Sequence, residues 1–429
     1  MNDTRPLSKL ERIWELLVRE GRCWFPIGVK LKPEYTYQIV EGKIRQLETL
    51  AFMNKTIMAN EGELIFTDLD SAIPLHSVDL DYSMTMSDVL THAMSNFERF
   101  TFGSPLWHPV WYSTSGSNFL VVYFHHAIFD AKTASALVGE LLGQSKIVDS
   151  VSEANLDWDV FPKEIENYLF PVSESSIQKI WEDKNIDTWI PYSLAQVEER
   201  SCKVQAFKIT KSHVDLLSRF AKEHQLSLHH IIVSLFLKSA ELTLQAPESS
   251  LLSILTSVDT RSKLKVRKQQ PGCFVGSIRT CHDTTSESLV SIAKNYKNSF
   301  ISRYKKHVDL AILHAPIDLA AMSNQITNYD RANTVEFSNM GAAIDSCKGL
   351  DIHVAQNTTM VGGLLWLNAI ECDDSLNITL SWVEPYIERD VIQQFVDNIY
   401  DLVNEVTLLN QEPLITDCLA LDTRYAETT

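Results

Sequence analysis

The stretch NFLVVYFHHAIFDA, residues 118–131, decides the fold of this chain. Its six consecutive apolar residues, from Phe119 to Phe124, predict a β-strand that is buried on both faces. The strand delivers His125 and His126 to a loop, and Asp130 stands four residues after the second histidine. Aspartate is a favoured helix N-cap, so Asp130 predicts the start of a helix. The unit therefore brings a candidate proton acceptor to the end of a buried strand.

Helical and strand patterns alternate on both sides of this unit. Ser8 and Glu11 have the spacing of a capping box. The apolar stripe of the helix that follows consists of Leu10, Ile13, Trp14 and Leu17. Ser227 predicts the cap of a more apolar helix. The remaining long elements are strands at 204–209, 251–258, 335–337, 364–370 and 376–382 and helices at 212–223, 228–244 and 388–408. This mixture predicts an α/β fold in which each half of the chain forms an α/β sandwich around its own core.

The length of 429 residues predicts two domains, at roughly 100–200 residues per domain. Residues 1–175 form the predicted N-terminal domain with the histidine pair. Residues 176–203 form a crossover linker, because the pattern weakens there, and residues 204–429 form the C-terminal domain. Tryptophans Trp158, Trp181 and Trp189 stand isolated in the weakly patterned acidic stretch around the linker.

Composition narrows the classes of function. The net charge of -17 opposes binding to a phosphate backbone, so nucleic acid is not an expected partner. No window approaches the ~18 consecutive apolar residues of a membrane-spanning helix, and the N-terminus lacks a signal-peptide pattern. The seven scattered cysteines include no C-x-x-C pair, so neither zinc nor disulfides are expected. These features predict a cytoplasmic protein.

His126 is the candidate general base. A neutral imidazole, with an ordinary pKa near ~6.5, accepts a proton at working pH more readily than any other untuned side chain. Three alternatives stay open at this point. In the first, both histidines have a purely structural role. In the second, Asp130 is only a helix cap. In the third, His125, His126 and Asp130 bind a metal together with a ligand from elsewhere.

Two further segments carry candidate site residues. Arg261 follows an apolar strand and is either a surface charge or the partner of a buried carboxylate such as Asp130. Ser338 and Asn339 follow another strand directly and precede a glycine, which is typical of a turn. They could also bring a hydroxyl and an amide to a substrate channel.

The basic run at residues 261–268 has two interpretations. It is either a solvated loop or a local phosphate contact on an otherwise acidic protein. In the second case Lys263, Lys265 and Arg267 would bind the co-substrate.

Several motifs, in the same order, resemble those of the superfamily of condensation domains and coenzyme-A-dependent acyltransferases with the chloramphenicol acetyltransferase fold. HHAIFDA resembles the HHxxxDG motif, PLSKLE (residues 6–11) the opening helix, and SPLW (104–107) a strand entry. SVDTR (257–261) with PGCFVG (271–276) resembles a conserved arginine segment, and FSNMG (337–341) resembles the SN-(L/M)-G of fungal alcohol acetyltransferases. The resemblance covers nearly the whole chain, and it implies a pseudo-dimer of two α/β sandwich domains with a central channel between them.

The resemblance implies roles for these residues. His126 is the base, His125 a supporting residue, and Asp130 pairs with Arg261 to hold the loop. Apart from the resemblance, the tetrahedral oxyanion of an acyl transfer needs a hydrogen-bond donor, and Ser338 or Asn339 is the candidate. Ala131 stands where many members have glycine, which disfavours a peptide-forming condensation domain.

These points predict a CoA-dependent O-acyltransferase, with acyl-CoA as co-substrate and a small-molecule alcohol, such as a natural product, as acceptor. The first alternative is an enzyme that uses a carrier-protein thioester or an amine acceptor. The second is a non-catalytic binding protein on the same fold. No permanently bound cofactor or metal is expected, and a pseudo-dimer needs no partner subunit, so a monomer is predicted.

Overall fold

The structure is a computed structural model of the 429-residue chain. It describes residues 4–19, 24–49, 53–98, 100–143, 195–248, 250–266, 271–285, 287–313, 333–341, 349–359 and 362–409. The boundary predicted at 175/176, most of the predicted linker, the three isolated tryptophans and Arg267 lie outside these residues. The domain limits therefore stay a prediction.

The N-terminal half is built on a five-stranded sheet with the strand order β12-β2-β7-β6-β5. Its strands are β2 (Phe25–Lys30), β5 (His76–Asp79), β6 (Trp107–Ser113), β7 (Asn118–Phe124) and β12 (Asp351–Val354). A three-stranded sheet lies beside it and consists of β1 (Arg5–Pro6), β3 (Lys55–Asn60) and β4 (Glu63–Asp68). Strand β12 comes from the C-terminal half of the chain and pairs antiparallel with β2.

The C-terminal half is built on a six-stranded sheet with the strand order β10-β9-β11-β13-β14-β8. Its strands are β8 (Ser201–Thr210), β9 (Leu251–Asp259), β10 (Val275–Asp283), β11 (Val335–Asn339), β13 (Leu365–Glu371) and β14 (Ser375–Glu384). Strand β11 runs parallel to both of its neighbours, whereas the other pairs are antiparallel.

Eight α-helices pack on these sheets within the described residues. They are α1 (Lys9–Arg19), α2 (Tyr37–Leu47), α3 (Met86–Asn96), α4 (Ala131–Leu141), α5 (Lys211–Glu223), α6 (Leu228–Leu244), α7 (Leu289–Lys305) and α8 (Arg389–Leu409). Short 3₁₀ helices cover Val197–Glu199 and Val308–Leu313. In the described part of the chain, no helix has the length and apolar character needed to cross a membrane.

Strand β7 is buried on both faces, as its composition predicts. Its even-numbered residues Leu120, Val122 and Phe124 join the core beneath α2 and α4, and its odd-numbered residues join the core beneath α1 and α3. Alternate side chains of a strand point to opposite faces, so one strand anchors two cores. Full burial of a side chain such as Phe124 contributes about 1.5–3 kcal/mol.

Helix α3 joins the two halves. It packs against the N-terminal sheet on one side and against β8 on the other. The Ser87 and Thr91 hydroxyls accept hydrogen bonds from the backbone N–H groups of Ala206 and Val204, at 2.9 and 3.0 Å. These side chains bind an otherwise unpaired edge of the six-stranded sheet.

The prediction of an α/β fold built as a two-domain pseudo-dimer is confirmed. The capping box is formed too: Ser8 N–H donates to a Glu11 carboxylate oxygen at 2.8 Å, and Glu11 N–H donates to Ser8 Oγ at 3.3 Å. Helix α6 has the predicted limits, and the other long elements differ from prediction by a few residues at their ends.

Candidate active site

The end of β7 presents the two histidines. His125 N–H donates to the Leu106 carbonyl at 2.9 Å, which extends the strand pairing by one residue before the chain turns. The turn ends where Asp130 caps α4. His125 is buried and His126 is partly exposed, so the two side chains of this pair meet different surroundings.

His125 is held by two hydrogen bonds that fix its tautomer. The backbone N–H of Ala127 donates to its Nδ1 at 3.1 Å, so Nδ1 is an acceptor. Its Nε2 therefore carries the hydrogen and donates to Glu15 on α1 at 2.9 Å. Both ring nitrogens of His125 are occupied within the fold, which suits a supporting residue and leaves none for a substrate.

We expect His125→Leu to lower the free energy of unfolding by about 1–3 kcal/mol, since it leaves the Ala127 N–H and a Glu15 oxygen buried without this partner. Glu15 keeps its ion pair with Arg19 at 2.9 Å, which limits the loss. Urea denaturation of both proteins measures the difference. A change below a few tenths of a kcal/mol would show that the two bonds do not stabilise the loop.

His126 lies in an aromatic enclosure. Trp14 of α1 stacks on its ring with a centroid distance of 4.2 Å and an interplanar angle of 17°. Phe25 of β2 meets the ring edge-on at 5.1 Å. The Cys273 sulfur lies 3.4 Å from Nδ1. These contacts come from both halves of the chain and orient the imidazole.

Burial in this enclosure lowers the pKa of His126 to about 4, while the nearby Asp130 charge and the backbone carbonyls of His126 and Phe129 oppose the shift. Burial raises the pKa of the Cys273 thiol. The pair is therefore a neutral imidazole beside a neutral thiol, and the imidazole can accept a proton at neutral pH.

The lowered pKa predicts the pH dependence of any activity that uses His126 as a base. The neutral ring persists down to about pH 4, so kcat/KM should stay flat from pH 7 to 5 and fall only below that range. An inflection near ~6.5 would contradict the lowered pKa.

Stability should behave differently from activity in the same range. His108, His126, His229 and His282 all have pKa values lowered to about 4 by burial. Between the unfolded pKa near ~6.5 and this value, the unfolded chain binds protons that the native chain does not. Stability should therefore decline as the pH falls from 6.5 to 4. Thermal unfolding at each pH separates this decline from the rate.

Asp130 acts at once as a helix cap and as an ion-pair partner. One carboxylate oxygen accepts from the Thr133 N–H at 2.8 Å, which caps α4. The other accepts from the Phe274 N–H at 3.1 Å and lies 2.7 Å from the Arg261 guanidinium. The Asp130 and Arg261 side chains are each only 3% exposed, so the charges depend on each other.

Arg261 ties the histidine loop to the C-terminal half. Its guanidinium lies 3.1 Å from an Asp259 oxygen, 3.0 Å from Thr133 Oγ1 and 3.2 Å from the Gly272 carbonyl. It also lies over the Phe274 ring, 4.6 Å from the centroid. The distances bring His126, Asp130 and Arg261 into one cluster, although the last comes from a distant part of the chain.

Gly276 ends the segment that carries Cys273, and this position has no room for a side chain. A Cβ there would lie 2.4 Å from the backbone carbonyl oxygen of Asp309. Because a backbone atom cannot move aside as a side chain can, only glycine allows this close approach. The approach holds the segment against the 3₁₀ helix Val308–Leu313.

The described part of the basic run differs from a free phosphate-binding loop, because the Lys263 ammonium is bonded within the fold. Lys263 bonds to the Tyr304 carbonyl at 2.8 Å and to the carboxylate of Asp309, which is fully buried. Its ammonium also lies 3.5 Å from the centroid of the Tyr304 ring. Lys265 is exposed. Of the three predicted co-substrate ligands, Lys263 therefore already has a partner in the fold, and Arg267 is outside the described residues.

Ser338 and Asn339 stand at the end of β11, but neither hydrogen-bonds to His126 among the described residues. Asn339 Oδ1 accepts from the Gly341 N–H at 2.9 Å, so its amide nitrogen faces His229 Nδ1, at 3.2 Å. His229 Nε2 must then carry the hydrogen and donate to the Tyr296 hydroxyl at 2.9 Å. Ser338 is partly exposed.

Sequence reasoning missed Glu15, Cys273 and His229, and it assigned Trp14 only to an apolar stripe. Trp14 and Glu15 are neighbours on α1, and each contacts one of the two histidines. A tryptophan–glutamate pair on an amphipathic helix has no distinctive spacing. Only the packing of α1 beside β7 brings the pair to the site.

No protein-family model matches the chain, and no curated protein matches its sequence. Solved structures do match over nearly its full length. The epimerization domain from the third module of tyrocidine synthetase B has a TM-score of 0.61 at 14% identity, over 95% of this chain and 98% of that chain. Polyketide synthase associated protein 5 from Mycobacterium tuberculosis has a TM-score of 0.65 at 14% identity, over 96% and 100%.

The first condensation domain of the calcium-dependent antibiotic synthetase, in complex with a substrate analogue, has a TM-score of 0.66 at 9% identity, over 95% and 96%. At these identities the likeness shows the fold alone. The chain has the fold of condensation domains, which is a chloramphenicol acetyltransferase-like fold. The comparisons do not reach the predicted branch of fungal alcohol acetyltransferases.

Proposed function

We propose that this protein transfers an acyl group from a thioester to a small-molecule acceptor by direct attack, with His126 as the general base. The observation that carries the proposal is the neutral, partly exposed His126 ring beside the buried Asp130–Arg261 pair. A helix cap alone needs no buried arginine, and a structural histidine needs no exposure. The arrangement instead fixes the base while leaving it accessible.

The proposed step balances without a redox partner. His126 removes the proton from the acceptor hydroxyl, and the oxygen attacks the thioester carbonyl. The tetrahedral intermediate collapses as the C–S bond breaks, and the imidazolium returns its proton to the departing thiolate. General base catalysis contributes about 10²–10⁴-fold, and the juxtaposition of both substrates supplies much of the rest.

Trp14 supports the charged intermediate of this step. The imidazolium that forms at His126 would lie flat against the indole at the observed 4.2 Å separation. An aromatic face attracts a cation by about 0.5–2 kcal/mol, depending on solvation. The stack therefore favours the protonated ring once the substrate has supplied the proton, without making the resting base charged.

Acyl-CoA is the proposed donor and an alcohol the proposed acceptor, in line with Ala131 and the FSNMG segment. A carrier-protein thioester is the second candidate. It is favoured by the condensation-type neighbours and by Lys263, whose ammonium is engaged with Asp309 rather than free for the phosphates of CoA. The cytoplasmic location and the monomeric state remain predictions.

Thiol release tests the function. Purified protein is incubated with acetyl-CoA or acetyl-pantetheine and a panel of alcohols and amines, and the free thiol and acylated product are measured. We expect acceptor-dependent thiol release that requires His126. Release from acetyl-CoA alone supports CoA as donor, and equal release from both thioesters supports recognition of the pantetheine arm. A folded protein that acylates no acceptor from either donor would contradict the proposal.

A further inference from the structure

The two faces of the six-stranded sheet differ in chemistry. On β13, Leu365, Leu367 and Ala369 point into the core that α5, α6, α7 and α8 cover. Trp366 and Asn368 alternate with them and therefore point to the opposite face. This inner face is directed toward the N-terminal half, since His353 of β12 lies 3.2 Å from Thr379 of β14, the register partner of Asn368.

The orientation of the Asn368 amide is fixed by its neighbour. Trp366 Nε1 donates to Asn368 Oδ1 at 3.4 Å. An indole N–H is a donor only, so the amide atom that faces it must be the oxygen. The amide nitrogen of Asn368 therefore points away from Trp366.

That nitrogen is buried and unpartnered. Asn368 is 4% exposed, and its Nδ2 has no hydrogen-bond partner among the residues that the structure describes. Native proteins pair the great majority of their buried polar groups. An amide with two unpaired N–H donors is therefore a candidate for ligand binding.

Ser338 is the neighbour of Asn368 across the strand pair. Ser338 on β11 is the register partner of Asn368 on the parallel strand β13, so the two side chains project on the same face. Ser338 is partly exposed and Asn368 is not, so the pair leads from an accessible position into the interior. One hydroxyl and one amide are neutral groups, and the nearby buried Glu336 on β11 opposes an anionic ligand.

We propose that Asn368 and Ser338 form a binding subsite for a neutral carbonyl oxygen of the acyl donor, either in the thioester or in an amide of its pantetheine arm. This inference rests on the proposed acyltransferase function. Asn368 is a specificity-determining residue in this role, since its two donors require an acceptor atom on the ligand.

The test uses Asn368→Leu, which has a similar shape but no donors, and Asn368→Ser as a smaller second variant. Titration calorimetry measures the Kd of acetyl-pantetheine and of free pantetheine, and thermal unfolding measures Tm. We expect Kd for acetyl-pantetheine to rise about fivefold in both variants, the loss of one neutral hydrogen bond. The Tm of Asn368→Leu should stay about equal, because removing the buried unpaired donors offsets the loss of the long 3.4 Å bond from the partly exposed Trp366.

Asn377→Leu is the matched control. Asn377 is equally buried, but its amide donates to the Ile352 carbonyl at 3.0 Å and accepts from Ser375 Oγ at 2.7 Å. This variant should lose Tm and keep the Kd of the wild type. A merely structural Asn368 would behave like Asn377.

The two ligands distinguish the source of the carbonyl. Weakened binding of both assigns the subsite to the pantetheine arm, and weakened binding of acetyl-pantetheine alone assigns it to the thioester. Unchanged Kd values in both Asn368 variants of an active protein would overturn the subsite and leave the proposed function standing. A wild-type protein that neither binds these ligands nor releases thiol would overturn both.

Discussion

His126→Gln is expected to lower kcat/KM for acyl transfer by about 10²–10⁴-fold, the contribution of a positioned general base. Glutamine can fill much of the space between Trp14 and Cys273 but cannot accept a proton at neutral pH. Because His126 is partly exposed and caps no element, the fold should survive the change. Initial rates of thiol release and the circular dichroism spectrum measure the two effects.

His282→Gln is the matched control for this experiment. His282 is also buried with a pKa lowered to about 4, but it bonds to Thr280 at 2.8 Å within β10, away from the histidine loop. It should leave kcat/KM within about twofold of the wild type, consistent with the small effects of changes outside the machinery. Full activity in His126→Gln would remove the base from the mechanism. It would leave the alternative of a binding protein on this fold.

Arg261→Met is expected to lower the free energy of unfolding by about 3–5 kcal/mol, the range for removing one partner of a buried ion pair. Asp130 would keep its two backbone N–H donors but lose its ion pair with the Arg261 guanidinium. Activity should fall as well, because the loop that orients His126 loses its tie to the other half. Urea denaturation and thiol release measure both quantities.

Lys132→Met is the matched control for Arg261→Met, because it removes a cation from the same interface but from an exposed ion pair. Lys132 pairs with Asp259 at 2.8 Å, but the two side chains are 24% and 39% exposed. Such pairs contribute about 0–1 kcal/mol.

In the double variant Asp130→Asn/Arg261→Met, part of the stability that Arg261→Met loses should return, since no buried charge remains unpaired. If Arg261→Met costs no more than Lys132→Met, the buried pair does not hold the loop.

The elements that the sequence predicts well are those with a local signal. Helix α6 has a capping serine at Ser227 and an uninterrupted apolar pattern, and its limits agree with prediction. Strand β7 is long, apolar and ends at polar residues. In both cases one stretch of chain contains the information that fixes its own structure.

Other elements depend on distant partners. Strand β2 contains Pro26 and Gly28, which disfavour a strand by local propensity, yet it lies in the middle of the sheet between β7 and β12. Strand β12 has only four residues and forms because β2 offers a free edge. Helix α3 does have a local signal, the Thr85–Asp88 capping box, although no helix was predicted there.

The site shows the same division. The residues alone left the Asp130–Arg261 pair as one of two interpretations of Arg261, and only the family resemblance favoured it, since the two residues lie on different halves of the chain. Competing interpretations of Asp130, as a cap or as an ion-pair partner, were both right about its contacts, because a carboxylate has two oxygens and each serves one purpose. The contacts of Glu15 and His229 follow from tertiary packing that no spacing encodes.

Strand β12 has a mechanical consequence for the molecule. Residues Asp351–Val354 lie between two strands of the C-terminal sheet in the sequence but pair with β2 at all four positions, so a backbone ladder joins the halves in addition to side chains. Separating the halves must therefore break this backbone ladder as well as the side-chain contacts. A fragment that ends before residue 351 would lack this ladder and would expose the unpaired edge of β2 to neighbouring chains.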